Sequence, residues 1–364
     1  HMPVRTTRIQ LGPLMEKISR RSLLAASASV AISPAYSAVS PVDIPRRVRR
    51  PLDDTSYWMH AAGTPGMSIA LVEGGKTREI LSFGSSDLEG KQAITDQTIF
   101  QAASLSKQAL LYAVIKTIDA GKLDIERPLA QYLDKPYRMD DAELGNITAR
   151  HVLTHTTGWP NWPADNKPIK REHPPGTKWG YSGAGFVYLQ TVLESIWGES
   201  ATHYTRRLVF DPLGMNHSSF VWLDAYDQTA TKGFDPGEDK PLNQWQPKEV
   251  NGAASLHTTA KEYALLLEAY LNKDFIRVHP GVFRQQVKID DHLGWTLGWG
   301  AADNALWQWG HNDGFKAFSA LVPSRGLGIV TLTNCASGQR INREWINAWL
   351  GRDFPAFYFN RIEL

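Results

Sequence analysis

The order in which two hydrophobic patterns follow one another along the 364 residues is the strongest constraint on the fold. β-rich runs stand near both ends and helix-periodic runs fill the middle. Met67–Glu73 and Glu79–Phe83 are separated by Gly74-Gly75, a hairpin signal. Trp295–Gly300, Leu306–Trp309, Phe315–Val322 and Gly328–Thr333 alternate or run apolar, with Gly, Asn and Pro between them. In the middle, Leu111, Val114, Ile115 and Ile118 fall at i, i+3, i+4 and i+7, one apolar stripe that Gly121 can stop. Ala184–Ile196, His203–Phe210 and Leu256–Leu267 also read as helices, the second broken by Asp211-Pro-Leu-Gly-Met215 and the third capped by Thr258 or Thr259. Arg343–Leu350 is a last helix. No internal repeat is visible. The economical arrangement is an antiparallel sheet closed by both ends of the chain, flanked by helices and carrying an inserted helical subdomain, an α/β (α+β) fold. The sheet part is expected in about 55–103 and 290–364 and the helical part in about 104–289, within one domain spanning 39–364.

Residues 1–38 read as a tag remnant and an export signal. His1-Met2 has the look of a cloning remnant. Met15–Leu24 has a basic front with the pair Arg20-Arg21, followed by a modest apolar stretch to Ile32 and small residues around Ala35-Tyr-Ser-Ala38. Ser-Arg-Arg-x-Leu-Leu resembles a bacterial twin-arginine signal, so a periplasmic or secreted location is expected. Val39–Asp54, rich in Pro and Arg, reads as a linker or wrapping arm with Arg46–Arg50 solvated, and Tyr57–Ala62 as a short helix. A net charge of +2 implies no nucleic-acid partner. The single cysteine, Cys335, excludes an internal disulfide framework and argues against a structural zinc site. No apolar run is long enough to span a bilayer, so no stable membrane insertion is expected.

Chemistry concentrates at Ser104-Leu-Ser-Lys107, at the start of the first middle helix. If that helix begins near Ser104, then Ser104 and Lys107 share a face and Ser106 points elsewhere. A serine hydroxyl needs a base within hydrogen-bond reach. An amine one turn away can serve, alone or through another group, if burial lowers its pKa. A helix N-terminus adds partial positive charge where an oxyanion would form. On the tetrad alone, a capping serine with a solvated lysine is the commoner case; the downstream motifs reverse that.

The second motif is Gly180-Tyr-Ser-Gly183, where Tyr181 on a glycine-flanked loop could act as a general base if deprotonated. The same stretch nearly fits the nucleophile elbow G-x-S-x-G, but Ala184 breaks the pattern and no hydrophobic strand precedes it, so Ser182 is set aside. The third is Trp307–Lys316 between two strands, where glycines allow a strand edge to approach a bound acyl group and offer it a backbone N–H. Asn161–Thr177, rich in Pro, Trp and charge, reads as a pocket rim or lid. Ile147–Gly158 reads as a capped helix. Its His151 and His155 have zinc-ligand spacing but no glutamate between them in the metalloprotease position and no third ligand, so they are taken as structural. No metal or cofactor is called for.

Together these stretches resemble the serine β-lactamase and penicillin-binding-protein superfamily, on the side of class C β-lactamases, D-amino-acid peptidases and family VIII carboxylesterases. The likeness rests on Ile99–Lys107, Ile147–Gly158, Pro175–Gly183 and Ala253–Ala260. It implies an acylated Ser104, proton work shared by Lys107 and Tyr181, and an oxyanion hole made by the backbone N–H groups of Ser104 and of the residue after the third motif. The substrate implied is a small or peptide-like ester or amide. Two departures stand out. Gly183 replaces the family's Asn of Tyr-x-Asn, removing an amide that steadies a substrate amide. The third motif has two registers: Gln308-Trp309-Gly310 with His311 as oxyanion donor, preferred here, or one that starts at His311 and puts Asp313 where Gly belongs. Neither register offers a lysine. Gln308 cannot neutralise a substrate carboxylate, so neutral esters or amides are expected to outcompete β-lactams and D-Ala-D-Ala peptides, unless Lys316 or an arginine of Asn161–Thr177 reaches the same spot.

Overall fold

The computed structural model describes residues 46–137, 144–163 and 169–364. The export-signal and tag readings (1–38) and the first part of the linker (39–45) lie outside them. Strands β1 (Gly66–Glu73) and β2 (Lys76–Gly84) form a hairpin. Its turn residues Gly74 and Gly75 sit at φ +63° and +75°, a left-handed pair that a tight hairpin demands and glycine supplies without strain. Short strands β3 (Phe100–Ala103) and β4 (Leu256–Thr258) pair with each other, apart from the main sheet. β5 (Val287–Lys288), β6 (Gly294–Trp295), β7 (Gly300–Ala302), β8 (Ala305–Asn312), β9 (Phe315–Val322) and β10 (Leu327–Thr333) follow. The large sheet runs β2-β1-β10-β9-β8-β7-β6-β5, antiparallel throughout. Met67 lies opposite Thr333, so an early strand closes directly on the last one.

Successive residues of β1 serve two different cores. Ile69 and Leu71 pack in a cluster with Ile329, Phe318, Trp345 and Trp349; Ala70 and Val72 join Val330, Leu332, Leu111 and Leu267 on the other side. Both faces are covered, which is why these strands read as continuous apolar runs. Helix α1 (Arg46–Ala62) packs with helix Gln339–Leu350 on the first face, and helix α2 (Ser106–Asp119) with helix Ala260–Tyr270 contributes to the second cluster.

Several boundaries differ from the sequence reading. The supposed linker from residue 46 onward is the front of α1: Val48, Pro51, Thr55 and Met59 form a buried stripe that four arginines masked, and the indole N–H of Trp345 donates to Thr55 Oγ1 at 3.0 Å. Leu256–Thr258 is a strand rather than the front of a helix, because β3 needs a partner; Thr259 then caps Ala260–Tyr270 by accepting from the Glu262 amide. Helix α3 spans only Ala149–Leu153, closed at its start by a reciprocal Thr148–His151 capping box. His155, at φ +54°, already belongs to the turn that follows. Trp295–Gly300 is not one strand: it breaks at Gly298, whose φ of +91° turns the chain between β6 and β7. The last helix starts at Gln339, one turn earlier than Arg343. Among the described residues, no helix is long and apolar enough to cross a membrane.

Candidate active site

Ser104 sits where β3 gives way to α2. Ala103 takes φ +49°, an uncommon conformation for a residue with a side chain, and bends the chain abruptly at the strand's end. The turn is closed by Leu105 N–H donating to the Ala102 carbonyl at 3.0 Å and Lys107 N–H to the Ser104 carbonyl at 3.2 Å. The helix proper starts at Ser106, two residues later than the sequence suggested, but the relation between Ser104 and Lys107 survives: Nζ lies 3.1 Å from Oγ. Ser106 is spent on structure. Its hydroxyl donates to the Ala103 carbonyl and accepts from Leu256 N–H at 2.9 Å, tying β4 to the turn.

Lys107 is buried. Besides Ser104 it meets the Ala253 carbonyl at 2.9 Å and the rings of Tyr181 and Phe186, 4.7 and 5.7 Å from their centroids. No carboxylate among the described residues forms an ion pair with it. With no opposite charge paired to it, burial pulls its pKa down to about 7.

Tyr181 comes from the loop before helix α4 (Gly183–Trp197). Its ring is wedged between His155 and Trp309, at centroid distances of 4.4 and 4.7 Å, and its hydroxyl accepts from Gln308 Nε2 at 3.1 Å. Burial pushes the phenol up to about 12, although hydrogen bonding to Ser104 and Gln308 and the charge of Arg361 pull the other way. The neighbouring Ser182 is the N-cap of α4: its hydroxyl accepts from Gly185 N–H at 3.2 Å and donates to the Pro160 carbonyl at 2.9 Å. His155 accepts from Ser182 N–H through Nδ1 at 3.1 Å, and burial keeps its imidazole well below its usual range, hence neutral. His151 belongs to the capping box. The two histidines therefore have separate structural tasks, and no cluster of potential metal ligands occurs among the described residues.

In the third motif Gln308 stands against Tyr181, and its Oε1 accepts a long bond, 3.5 Å, from Gln108 of α2. Two residues on, Gly310 is pressed to β3: a Cβ there would lie 2.7 Å from the Ala102 carbonyl. Those two contacts fit the register Gln308-Trp309-Gly310 and leave His311 next along β8. Lys316 does not supply the missing cation. It is buried and paired with Glu363 at 3.1 Å.

Ser104, Tyr181, Trp309 and His311 line one cleft of about 570 Å³. Its remaining wall was only partly legible. Asn161 and Trp162 come from the loop read as a rim, of which residues 164–168 lie outside the described residues. Asn243 and Trp245 come from a segment with no motif, and Arg361 from the stretch after the last helix. Arg361 is exposed and stacks 5.8 Å from the Trp179 ring centroid; the flanking Phe359 and Ile362 are buried and hold its segment down. Gly183 is not a vacancy. A Cβ there would lie 2.6 Å from Cη2 of Trp162, so the indole occupies the space beside it.

A penicillin-binding-protein-like architecture is borne out by solved structures. The octameric penicillin-binding protein homologue from Pyrococcus abyssi superposes with a TM-score of 0.71 at 20% identity, covering 86% of this chain and 81% of the other. The β-lactamase/D-alanine carboxypeptidase from Pseudomonas syringae gives 0.72 at 17% identity, covering 83% and 97%. The family profile described as Beta-lactamase matches residues 49–351, and the chain belongs to that family, a superfamily of serine hydrolases. Its curated relatives include the unguisins hydrolase of Aspergillus campestris, 25% identical over 74% of this chain and 58% of its own length. Penicillin-binding protein 4 of Amycolatopsis lactamdurans is 24% identical over 74% and 81%. The chain spans 58% of the length of the unguisins hydrolase and 60% of that of Protein flp of Staphylococcus aureus, to which it is 21% identical over 75% of its own length.

Proposed function

We propose that the protein is a serine hydrolase that cleaves an ester or amide through an acyl-enzyme on Ser104. The observation that carries this reading is the buried Lys107 amine 3.1 Å from the Ser104 hydroxyl, with no acid ion-paired to it among the described residues. At neutral pH a large share of that amine is uncharged. One of its N–H groups is held by the Ala253 carbonyl, and its lone pair is free to take the serine proton as Oγ attacks. Tyr181, with its pKa near 12, keeps its proton at neutral pH and so acts as a hydroxyl that relays a proton to the leaving group and takes one back from Lys107. This assigns the base role to Lys107, between the two candidates the sequence left open. Gln308 orients the phenol. Ser104 and His311 both line the cleft, and their backbone N–H groups serve as the oxyanion donors.

A second reading, a true β-lactamase or D-Ala-D-Ala peptidase, is favoured by Arg361, which puts a cation on the cleft that neither Gln308 nor Lys316 provides. A screen of purified protein against p-nitrophenyl butyrate, a D-amino-acid amide and a cephalosporin separates the two. Ester or amide turnover above cephalosporin turnover, abolished in Ser104→Ala, supports the first; the reverse order supports the second. Absence of both turnover and covalent labelling would leave a non-catalytic binding homologue. Export to the periplasm is proposed on the sequence of residues 15–38 alone; replacing Arg20 and Arg21 with Lys should retain the precursor in the cytoplasm, and an unchanged exported yield would contradict it.

A further inference from the structure

We infer that Trp162 and Trp245 form an aromatic subsite that makes this cleft selective for substrates carrying an aryl group; the inference rests on the hydrolase reading and names its substrate class. Exposed apolar side chains that line one cleft mark a ligand site, unlike those scattered singly over a surface. Trp162 is 47% exposed and Trp245 39%, and both face the cleft that holds Ser104. They arrive from different loops, and backbone bonds hold the chain next to each. Beside Trp162, the Asn161 carbonyl accepts from Ala184 N–H at 2.9 Å and its Oδ1 from Gly183 N–H at 2.8 Å. Around Trp245, Leu242 N–H donates to Gly233 at 2.9 Å and Trp222 N–H to Pro247 at 2.7 Å. The indoles are thus placed before any ligand arrives, which lowers the ordering cost of stacking on them.

Gly183 ties this arrangement to the backbone. Its φ is not in the left-handed region, so a side chain would be tolerated by the chain itself. What forbids one is the Trp162 ring, at 2.6 to 2.9 Å from a Cβ through three of its atoms. A side chain at 183 would therefore move the indole from its place beside the cleft, and with glycine there a flat apolar wall stands instead. Ring faces of this kind favour aromatic partners in stacked or edge-on contact beyond the area they bury.

The test uses three esters followed by pH-stat: ethyl butyrate, ethyl phenylacetate and benzyl butyrate, so that an aryl group is added on the acyl side or the alcohol side in turn. Within one ester the ratio of wild type to variant cancels intrinsic reactivity. Trp162→Ala and Trp245→Ala should each lower kcat/KM for at least one aryl ester about tenfold more than for ethyl butyrate, mainly through KM. Gly183→Ala, which displaces the Trp162 ring without altering the loop, should reproduce the Trp162→Ala pattern. Equal losses on all three esters, or none, overturn the subsite. Labelling of Ser104 by an alkyl fluorophosphonate reports the hydrolase reading separately. Labelled protein with unselective losses overturns the aromatic subsite alone, whereas neither label nor turnover overturns the hydrolase reading and this inference with it.

Discussion

The floor and the rim of the cleft obey different physics. On the floor, Lys107, Tyr181 and Gln308 are buried, each fixed by at least one hydrogen bond whose partner is also fixed. Burial there does chemical work: the same loss of water that pulls the Lys107 amine down to about 7 pushes the Tyr181 phenol up to about 12. A base that titrates near neutral pH and a phenol that holds its proton there emerge from one apolar environment, with no carboxylate ion-paired to Lys107 among the described residues. On the rim, Trp162, Trp245, His311 and Arg361 keep much of their surface in water. Charges there are screened and contribute little individually, so the rim can distinguish substrates but cannot activate a nucleophile. Floor substitutions should lower the rate on every substrate alike, and rim substitutions should change which substrate is preferred.

The largest effect expected is at the nucleophile. Ser104→Ala should lower kcat by up to about a million-fold, whereas Ser106→Ala and Ser182→Ala, which lose a turn bond and a helix cap, should cost about 1–2 kcal/mol of stability each and retain activity. Calorimetry beside ester kinetics checks both halves; an active Ser104→Ala protein would erase the distinction between floor and rim.

Next comes the proton relay. Lys107→Met and Tyr181→Phe should each cost several orders of magnitude and the double variant little more, since members of one relay are not additive. Fully additive losses in kcat/KM would show that they do separate jobs. Lys107→Met carries a second signature. The folded pKa lies below that of an unfolded lysine, 10.5, so between about 7 and 10.5 the unfolded chain binds more protons and stability rises with pH. The burial penalty is fully present below the folded pKa and gone above the unfolded one. Lys107→Met should thus raise Tm by roughly 5 °C at pH 7, an advantage that shrinks towards pH 10.

Gln308 should show the smallest of the floor effects. Gln308→Leu removes the donor to the phenol and should lower kcat about tenfold on all esters alike. The smallest effect belongs to Arg361. Arg361→Gln should reduce kcat/KM roughly threefold to tenfold for an ester bearing a carboxylate relative to a neutral one, with the difference fading at high salt. A drop on the neutral ester of the same size would move Arg361 from the rim to the floor.

The floor was largely legible in the sequence because its parts are local: Ser104 and Lys107 are one helical turn apart, Tyr181 is flanked by glycines, and Gly310 closes a strand motif. The fold was legible for a related reason, since β1 and β10 are continuous apolar runs buried on both faces. What escaped depends on contacts distant in sequence. Arg361 reaches the cleft only because Phe359 and Ile362 seat its segment. Trp245 has no periodic neighbours to announce it. Gly183 read as a lost amide, and only the position of Trp162 shows what fills the space. α1 was hidden by arginines spaced around a buried stripe, and β4 by a threonine cap that follows it directly.

The most direct test of the central claim is the rate at which a fluorophosphonate labels the protein as a function of pH, with the adduct mapped by peptide mass spectrometry. The account predicts an adduct on Ser104 whose formation rate rises through about pH 7, as Lys107 sheds its proton, and which disappears in Lys107→Met. An adduct on Ser182, or labelling of Ser104 that is flat from pH 5 to 9 and survives Lys107→Met, would contradict it.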